Sequence, residues 1–284
     1  MNILYLVFGE RLSDHVQAHL SIHTFLPQLA DGDSICVMTT APDYYASFSH
    51  CEKVRTIPIT SQTLRDWEGE WHFFWRVKIK AMELLTERCP GEDLLYVDSD
   101  TFLKGDLTAL KSQLLQGRGM MHLDEGHPSD MKTKSLRMWK TVDGNSYGGV
   151  TIGKEHDMWN AGVVAIPGKE AASTVALALA VCDGMLDSGA ERVVIEQYSL
   201  SVALHETVGL VSAEPWIGHY WGNKDEWNAF AQTFFLTAYM KGLTAAEATA
   251  ALASCDLASM RIHIHKSNTQ RRLTNIVRKL FPDR

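Results

Sequence analysis

The chain has 284 residues, 45% apolar and 21% charged, the make-up of an ordinary soluble globular protein and not of a disordered chain. Its net charge of −7 is uneven, because residues 261–284 carry +6 and the remainder −13; an acidic body of this kind argues against non-specific nucleic-acid binding. Five scattered cysteines without a C-x-x-C pair exclude a disulfide framework and a cysteine zinc site, and read as the reduced thiols of a cytoplasmic protein.

The first nine residues lack the basic start and the length of a secretion signal, and residues 3–8 read as a strand. Residues 14–29 follow as an amphipathic helix, 34–40 as a second strand closed by Ala41-Pro42-Asp43, and 54–59 as a third. Residues 64–85 read as one long helix, interrupted near Gly69, with Trp67, Trp71 and Trp75 at i, i+4 and i+8 on a single face packed on the sheet. Residues 94–97 are the next strand. Residues 124–157 are polar and rich in glycine, and read as a long loop region of the kind that often carries function. Residues 163–166 are a further strand, and 171–186, 196–204 and 226–241 are helices. Thr244-Ala245-Ala246-Glu247 is a capping box that opens another. The succession predicts an α/β fold, a mostly parallel sheet with helices on both faces, over residues 1–224, followed by a helical region over 225–284. No apolar run has membrane-spanning length. Residues 268–280 place Leu273, Ile276, Val277 and Leu280 on one helical face beside Arg271, Arg272, Arg278 and Lys279. That pattern suggests peripheral attachment to anionic lipid at the inner face of a membrane.

The chemistry concentrates at Leu94-Leu95-Tyr96-Val97-Asp98-Ser99-Asp100-Thr101. Four apolar residues end in two carboxylates at i and i+2, which leave a strand on the same side. Ligands beyond the C-terminal ends of parallel strands are the rule in such sheets. Two hard oxygen ligands there suit Mg²⁺ or Mn²⁺, ions that commonly arrive bridged to phosphate. An aspartyl-phosphate phosphatase would need threonine two residues after the second Asp, and Phe102 stands there instead.

The order of Leu94–Leu103 (LLYVDSDTFL), Trp159–Pro167 (WNAGVVAIP), Glu196-Gln197 and His219–Lys224 (HYWGNK) resembles the nucleotide-sugar glycosyltransferases of the GT-A fold. It is most similar to the retaining glycosyltransferase family 8, which includes glycogenin and bacterial lipopolysaccharide galactosyltransferases. The resemblance implies Asp98 and Asp100 as ligands of Mn²⁺ or Mg²⁺, with His219 as the third. Another third ligand is open in His263 or His265 of Ile262-His263-Ile264-His265-Lys266. It places Phe8, Gly9, Arg76, Lys80, Ser99, Asn160, Ala161, Gly162 and Lys224 at a nucleoside-diphosphate sugar, a UDP-sugar by the same resemblance. Glu196-Gln197 stands where the family has an Asp-Gln pair facing the anomeric carbon. The acceptor implied is a glycan or lipid-linked glycan hydroxyl. Retention needs no strong protein base, whereas inversion would call on Asp124 or Glu125. A non-catalytic sugar-nucleotide-binding or scaffold protein of the same fold is the alternative, and a nucleotidyltransferase finds only Phe8-Gly9-Glu10-Arg11 as its glycine-rich loop.

Overall fold

A computed structural model describes residues 1–131 and 134–264. The lipid-binding expectation for residues 268–280, and His265, lie outside the described residues. Seven strands form one sheet in the order Leu210–Ser212, Gly119–Met121, Val163–Ile166, Leu94–Val97, Asn2–Val7, Ser34–Thr39, Val54–Pro58. Asn2–Val7 pairs in parallel with both Ser34–Thr39 and Leu94–Val97, and Ser34–Thr39 pairs in parallel with Val54–Pro58. Val163–Ile166 is the exception, antiparallel to both Leu94–Val97 and Gly119–Met121. The α/β expectation therefore holds, with one reversed strand inside the sheet.

The central strands are continuous apolar runs because both faces are covered. One face packs on the helices Arg76–Arg88, Gly168–Asp187 and Ile195–Thr207 through Leu4, Met38, Tyr96, Val164 and their neighbours. The other packs on Leu12–Phe25 and Leu107–Leu115 through Ile3, Tyr5, Val37, Leu95 and Val163. A third cluster, Leu20, Phe102, Tyr220, Trp227, Ala231 and Leu252, fastens the helices Lys224–Met240 and Ala245–Ala253 to Leu12–Phe25. At its centre Trp227 stacks on Tyr220, centroids 4.4 Å apart, and donates its indole N–H to the Arg261 carbonyl at 3.0 Å. Side chains link the same parts: Gln17 to Asn228 at 2.6 Å and His23 to Thr249 at 2.7 Å. The Thr244 capping box that opens Ala245–Ala253 is formed as the sequence predicts.

Two expectations are corrected. The stretch over 64–85 is interrupted near Gly69 as the sequence reads, but the gap runs on to Trp75 and leaves two separate helices, Ser61–Glu68 and Arg76–Arg88. Gly69 at φ 69° and His72 at φ 50° break it, so Trp67, Trp71 and Trp75 do not share a helix face. Trp71 instead donates to Asp187, and Trp75 is half exposed. The region 124–157 is not all loop, for it contains the helix Lys134–Val142, whose Met138, Trp139 and Val142 are buried, and short strand pairs.

Candidate functional site

The parallel strands all end at one rim, and Asp98, Ser99 and Asp100 leave Leu94–Val97 there. After the turn, the short strand Thr101–Leu103 pairs antiparallel with Ile217–His219, which sets His219 opposite Thr101. The Tyr220 backbone N–H bonds the Asp100 carbonyl at 3.0 Å. The two carboxylates and the imidazole are thereby gathered, with one potential ligand atom of each within 4.8 Å of the others. Two hard oxygens and a borderline nitrogen fit Mn²⁺ or Mg²⁺ better than a soft metal. His263 is elsewhere, against the Trp221 ring and paired with Gly222. Of the two described histidines considered, His219 is the one at the carboxylates.

The site is strongly charged and its charges are matched. The buried Asp100 has His219 Nε2 at 3.4 Å and the Lys224 ammonium at 2.8 Å. Burial alone would raise its pKa, but His219, when its ring is charged, and the Lys224 ammonium outweigh burial and hold it well below the usual carboxylate range. Asp98, on the exposed side, accepts from the Tyr96 hydroxyl at 2.7 Å. Beneath it lies Lys78, a buried ammonium 3.4 Å from Asp98, 3.0 Å from Glu196 and donating to the Ala161 carbonyl at 3.1 Å. Burial would lower the Lys78 pKa, yet Asp98 and Glu196 together hold it above its ordinary value. Burial pushes the Glu196 carboxyl up, and Lys78 opposes that only in part.

Asn160, Ala161 and Gly162 form the wall that joins these groups. Asn160 Oδ1 accepts from the Gly162 N–H at 3.0 Å and lies 3.1 Å from His219 Nδ1, and its Nδ2 donates to Glu125 at 3.0 Å. Gln197 donates to the other Glu125 oxygen at 3.0 Å and accepts from the Ala161 N–H at 3.3 Å. Gly162 is required by contact: a Cβ there would overlap the His219 ring. A cavity of about 240 Å³ opens beside the carboxylates, lined by Phe8, Phe74, Trp75, Gln17, Ser99 and Lys224 among others. Phe8 and Phe74 meet edge to face, with centroids 5.0 Å apart.

Three predicted residues take other partners. Gly9 uses its backbone to bond Thr40 and His15. Arg76 grips Asp183 through two bonds of 2.7 and 2.9 Å and bonds the Trp67 carbonyl, which anchors the irregular 69–75 segment. Lys80 pairs with Glu83 on its own helix. Sequence reasoning missed Lys78. Its signal is a lysine between Val77 and Ile79 on the buried side of the helix Arg76–Arg88, where only a carboxylate partner makes a charge tolerable.

No protein-family model matches the chain, and no curated protein matches it in sequence. Solved structures do. The galactosyltransferase LgtC, in complex with donor and acceptor sugar analogs, superposes with a TM-score of 0.51 at 12% identity over 75% of this chain and 73% of LgtC. The chain has the GT-A fold. A structure of an LgtC active-site mutant agrees, with a TM-score of 0.50 at 13% identity over 75% of this chain and 72% of that one. Mouse xyloside xylosyltransferase 1 in its apo form is similar at a TM-score of 0.47 and 9% identity, over 75% and 85% of the two chains. In this GT-A fold the aspartate pair, His219 and the Asn160–Gly162 wall meet at the rim to which the parallel strands point.

Proposed function

We propose that the protein is a metal-dependent glycosyltransferase that moves a sugar from a nucleoside-diphosphate donor, a UDP-sugar, to a hydroxyl of a glycan or lipid-linked glycan with retention of configuration. The observation that carries this reading is the convergence of Asp98, Asp100 and His219 at the rim of a GT-A sheet beside a cavity of about 240 Å³. LgtC, of the same fold, is named a galactosyltransferase and was solved with donor and acceptor sugar analogs.

Mn²⁺ or Mg²⁺ held by Asp98, Asp100 and His219 would supply positive charge for a departing diphosphate. The chain's own residues do the rest. Lys224, half exposed and now on Asp100, is within reach of the same leaving group and adds a second positive charge. Lys78 neutralises the inner side of Asp98 and the buried Glu196, so that the acidic floor persists without water. Gln197 and Glu196 flank the place of the anomeric carbon. Phe8, Ser99, Asn160, Ala161 and Gly162 shape the donor side, and the acceptor enters across the 124–157 segment. Both Glu125 oxygens already accept amide N–H groups, so this carboxylate is engaged in holding Asn160 and Gln197, and the proposed path calls on no protein base. The sequence pattern of residues 268–280 adds an electrostatic contact with anionic lipid to the proposal, and no helix among the described residues is long and apolar enough to cross a membrane.

A thermal-shift screen of nucleoside diphosphates with and without Mn²⁺ tests the reading, since a ligand that binds the native state raises its melting temperature. The expected result is a UDP response that requires Mn²⁺ and disappears in Asp100→Asn. Mn²⁺-independent or absent responses across all donors would leave the scaffold alternative.

A further inference from the structure

We infer that Asn160 is a positioning residue that fixes the tautomer of His219, holding the proton on Nδ1 so that Nε2 presents its lone pair beside Asp100. The inference rests on the proposed metal site and deepens it.

The argument starts from the amide, whose orientation its neighbours dictate. The Gly162 backbone N–H can only donate, and it meets Asn160 Oδ1 at 3.0 Å. The Glu125 carboxylate can only accept, and it meets Asn160 Nδ2 at 3.0 Å. A flipped amide would set donor against donor and acceptor against acceptor, so the assignment is forced. The same Oδ1 lies 3.1 Å from His219 Nδ1, and an amide oxygen can only accept there. Nδ1 must therefore carry hydrogen, and in the neutral ring Nε2 is then bare. Nε2 stands 3.4 Å from Asp100 Oδ1, beyond the range of about 2.7–3.2 Å for an N–H···O bond. Two acceptors keep that separation, and a shared cation suits it.

The ring has little freedom to escape this setting. Gly162 lies flat against one side of it, and His122 meets it edge to face at 5.2 Å. Glu125 holds Asn160 in turn, and its second oxygen takes the Gln197 amide. Metal-binding histidines commonly depend on such an outer partner at the far nitrogen, with about 10–100-fold in metal affinity at stake. His156 makes the contrast. It also lies within 4.8 Å of possible co-ligands, His205 and Glu206. There the Gly153 N–H donates to Nδ1 at 3.1 Å, which puts hydrogen on Nε2, and that hydrogen goes to Glu206 at 3.0 Å. His156 is thus set in the tautomer unsuited to offering Nε2.

The decisive measurement is ¹⁵N–¹H correlation NMR of the metal-free, ¹⁵N-histidine-labelled full chain at pH 8, with His219→Gln used to assign the signals. The expected spectrum shows His219 protonated at Nδ1 and bare at Nε2. Asn160→Ala, checked for native near-UV circular dichroism, should populate both tautomers and weaken Mn²⁺ binding about 10–100-fold in calorimetric titration. The paired exchange Asn160→Asp with Glu125→Gln keeps an acceptor at Nδ1 and swaps donor and acceptor between the two side chains, so it should restore the wild-type tautomer. Hydrogen on Nε2 in the wild type would overturn the inference, as would an Asn160→Ala chain with unchanged tautomer and Mn²⁺ affinity. A wild-type chain that is protonated at Nδ1 yet takes up no Mn²⁺ would uphold the tautomer assignment and overturn the metal reading. The wild-type spectrum decides even if the variants do not fold.

Discussion

Gly162→Ala adds a single methyl group against the His219 ring and should disable the proposed metal site. The new Cβ would stand 2.9 Å from His219 Nε2 and nearer still to Cε1 and Nδ1. Non-bonded heavy atoms rest about 3.5–4.0 Å apart, so the nearest ring atom and the methyl must separate by roughly 1.5–2 Å. The backbone cannot supply that movement cheaply. The Gly162 N–H is held by Asn160 at 3.0 Å, and its carbonyl accepts the Asp98 N–H at 2.8 Å. The imidazole therefore moves, and a ligand displaced by that much is lost to the metal. Overpacking of this kind costs about 1–3 kcal/mol of folding stability. Mn²⁺ affinity should fall by at least 10–100-fold, or about 1.4–2.7 kcal/mol. Urea unfolding measures the first quantity and calorimetric titration with Mn²⁺ the second. Because both changes act through one ring, Gly162→Ala combined with His219→Ala should bind Mn²⁺ no more weakly than His219→Ala alone. Wild-type affinity in Gly162→Ala, or losses that add in the double variant, would refute the reasoning.

Other outcomes follow from the buried charges and rings. Lys78→Met should destabilise the fold by about 3–5 kcal/mol, because it strands Glu196 without its cation. Glu196 already has a folded pKa above its unfolded one, so the protonated form is the one folding favours. The penalty in Lys78→Met should therefore be smallest at acid pH and grow as pH rises, and Lys78→Met with Glu196→Gln should recover much of it; a pH-independent loss would count against this account. Burial holds His19 down to about 4 and His23 to about 3. These depressed values make their contribution complete above the unfolded value near 6.5 and progressively lost as pH falls toward 4. That loss is on the order of 3 kcal/mol for His19, and the double variant His19→Gln, His23→Gln should flatten a urea-midpoint profile over that window. Trp227→Ala should cost about 3–5 kcal/mol by emptying the cluster that holds the C-terminal helices, read by thermal unfolding.

What the sequence discloses and what it hides divides along physical lines. The strand at Leu94–Val97 with its two aspartates is legible because apolar continuity and the i, i+2 rule are local properties. The Thr244 capping box is legible for the same reason. The break after Glu68 is harder. Gly69 hints at it, but the 69–75 segment is held by Arg76 reaching Asp183, more than a hundred residues away. Arg76 and Lys80 look like partners one turn apart on a basic helix face, yet the lysine between them is the one that enters the site, since Lys78 is on the side that meets the sheet. Its partners Asp98 and Glu196 come from two other elements, and no window of sequence contains all three. The choice between His219 and His263 likewise depends on which strand pairs with Thr101–Leu103.

That short pairing also dictates when the rim can be finished during synthesis. Chains leave the ribosome from the N-terminal end, and the early half of the sheet can assemble while later segments are still being made. His219 belongs to the late half, and so does Val163–Ile166, which must slip in between Leu94–Val97 and Gly119–Met121. A nascent chain stopped short of residue 217 would hold both aspartates at the strand end but not the imidazole or Lys224. On the proposed reading, tight metal capture becomes a marker of near-complete translation, and stalled fragments should be unable to sequester manganese from the finished chain.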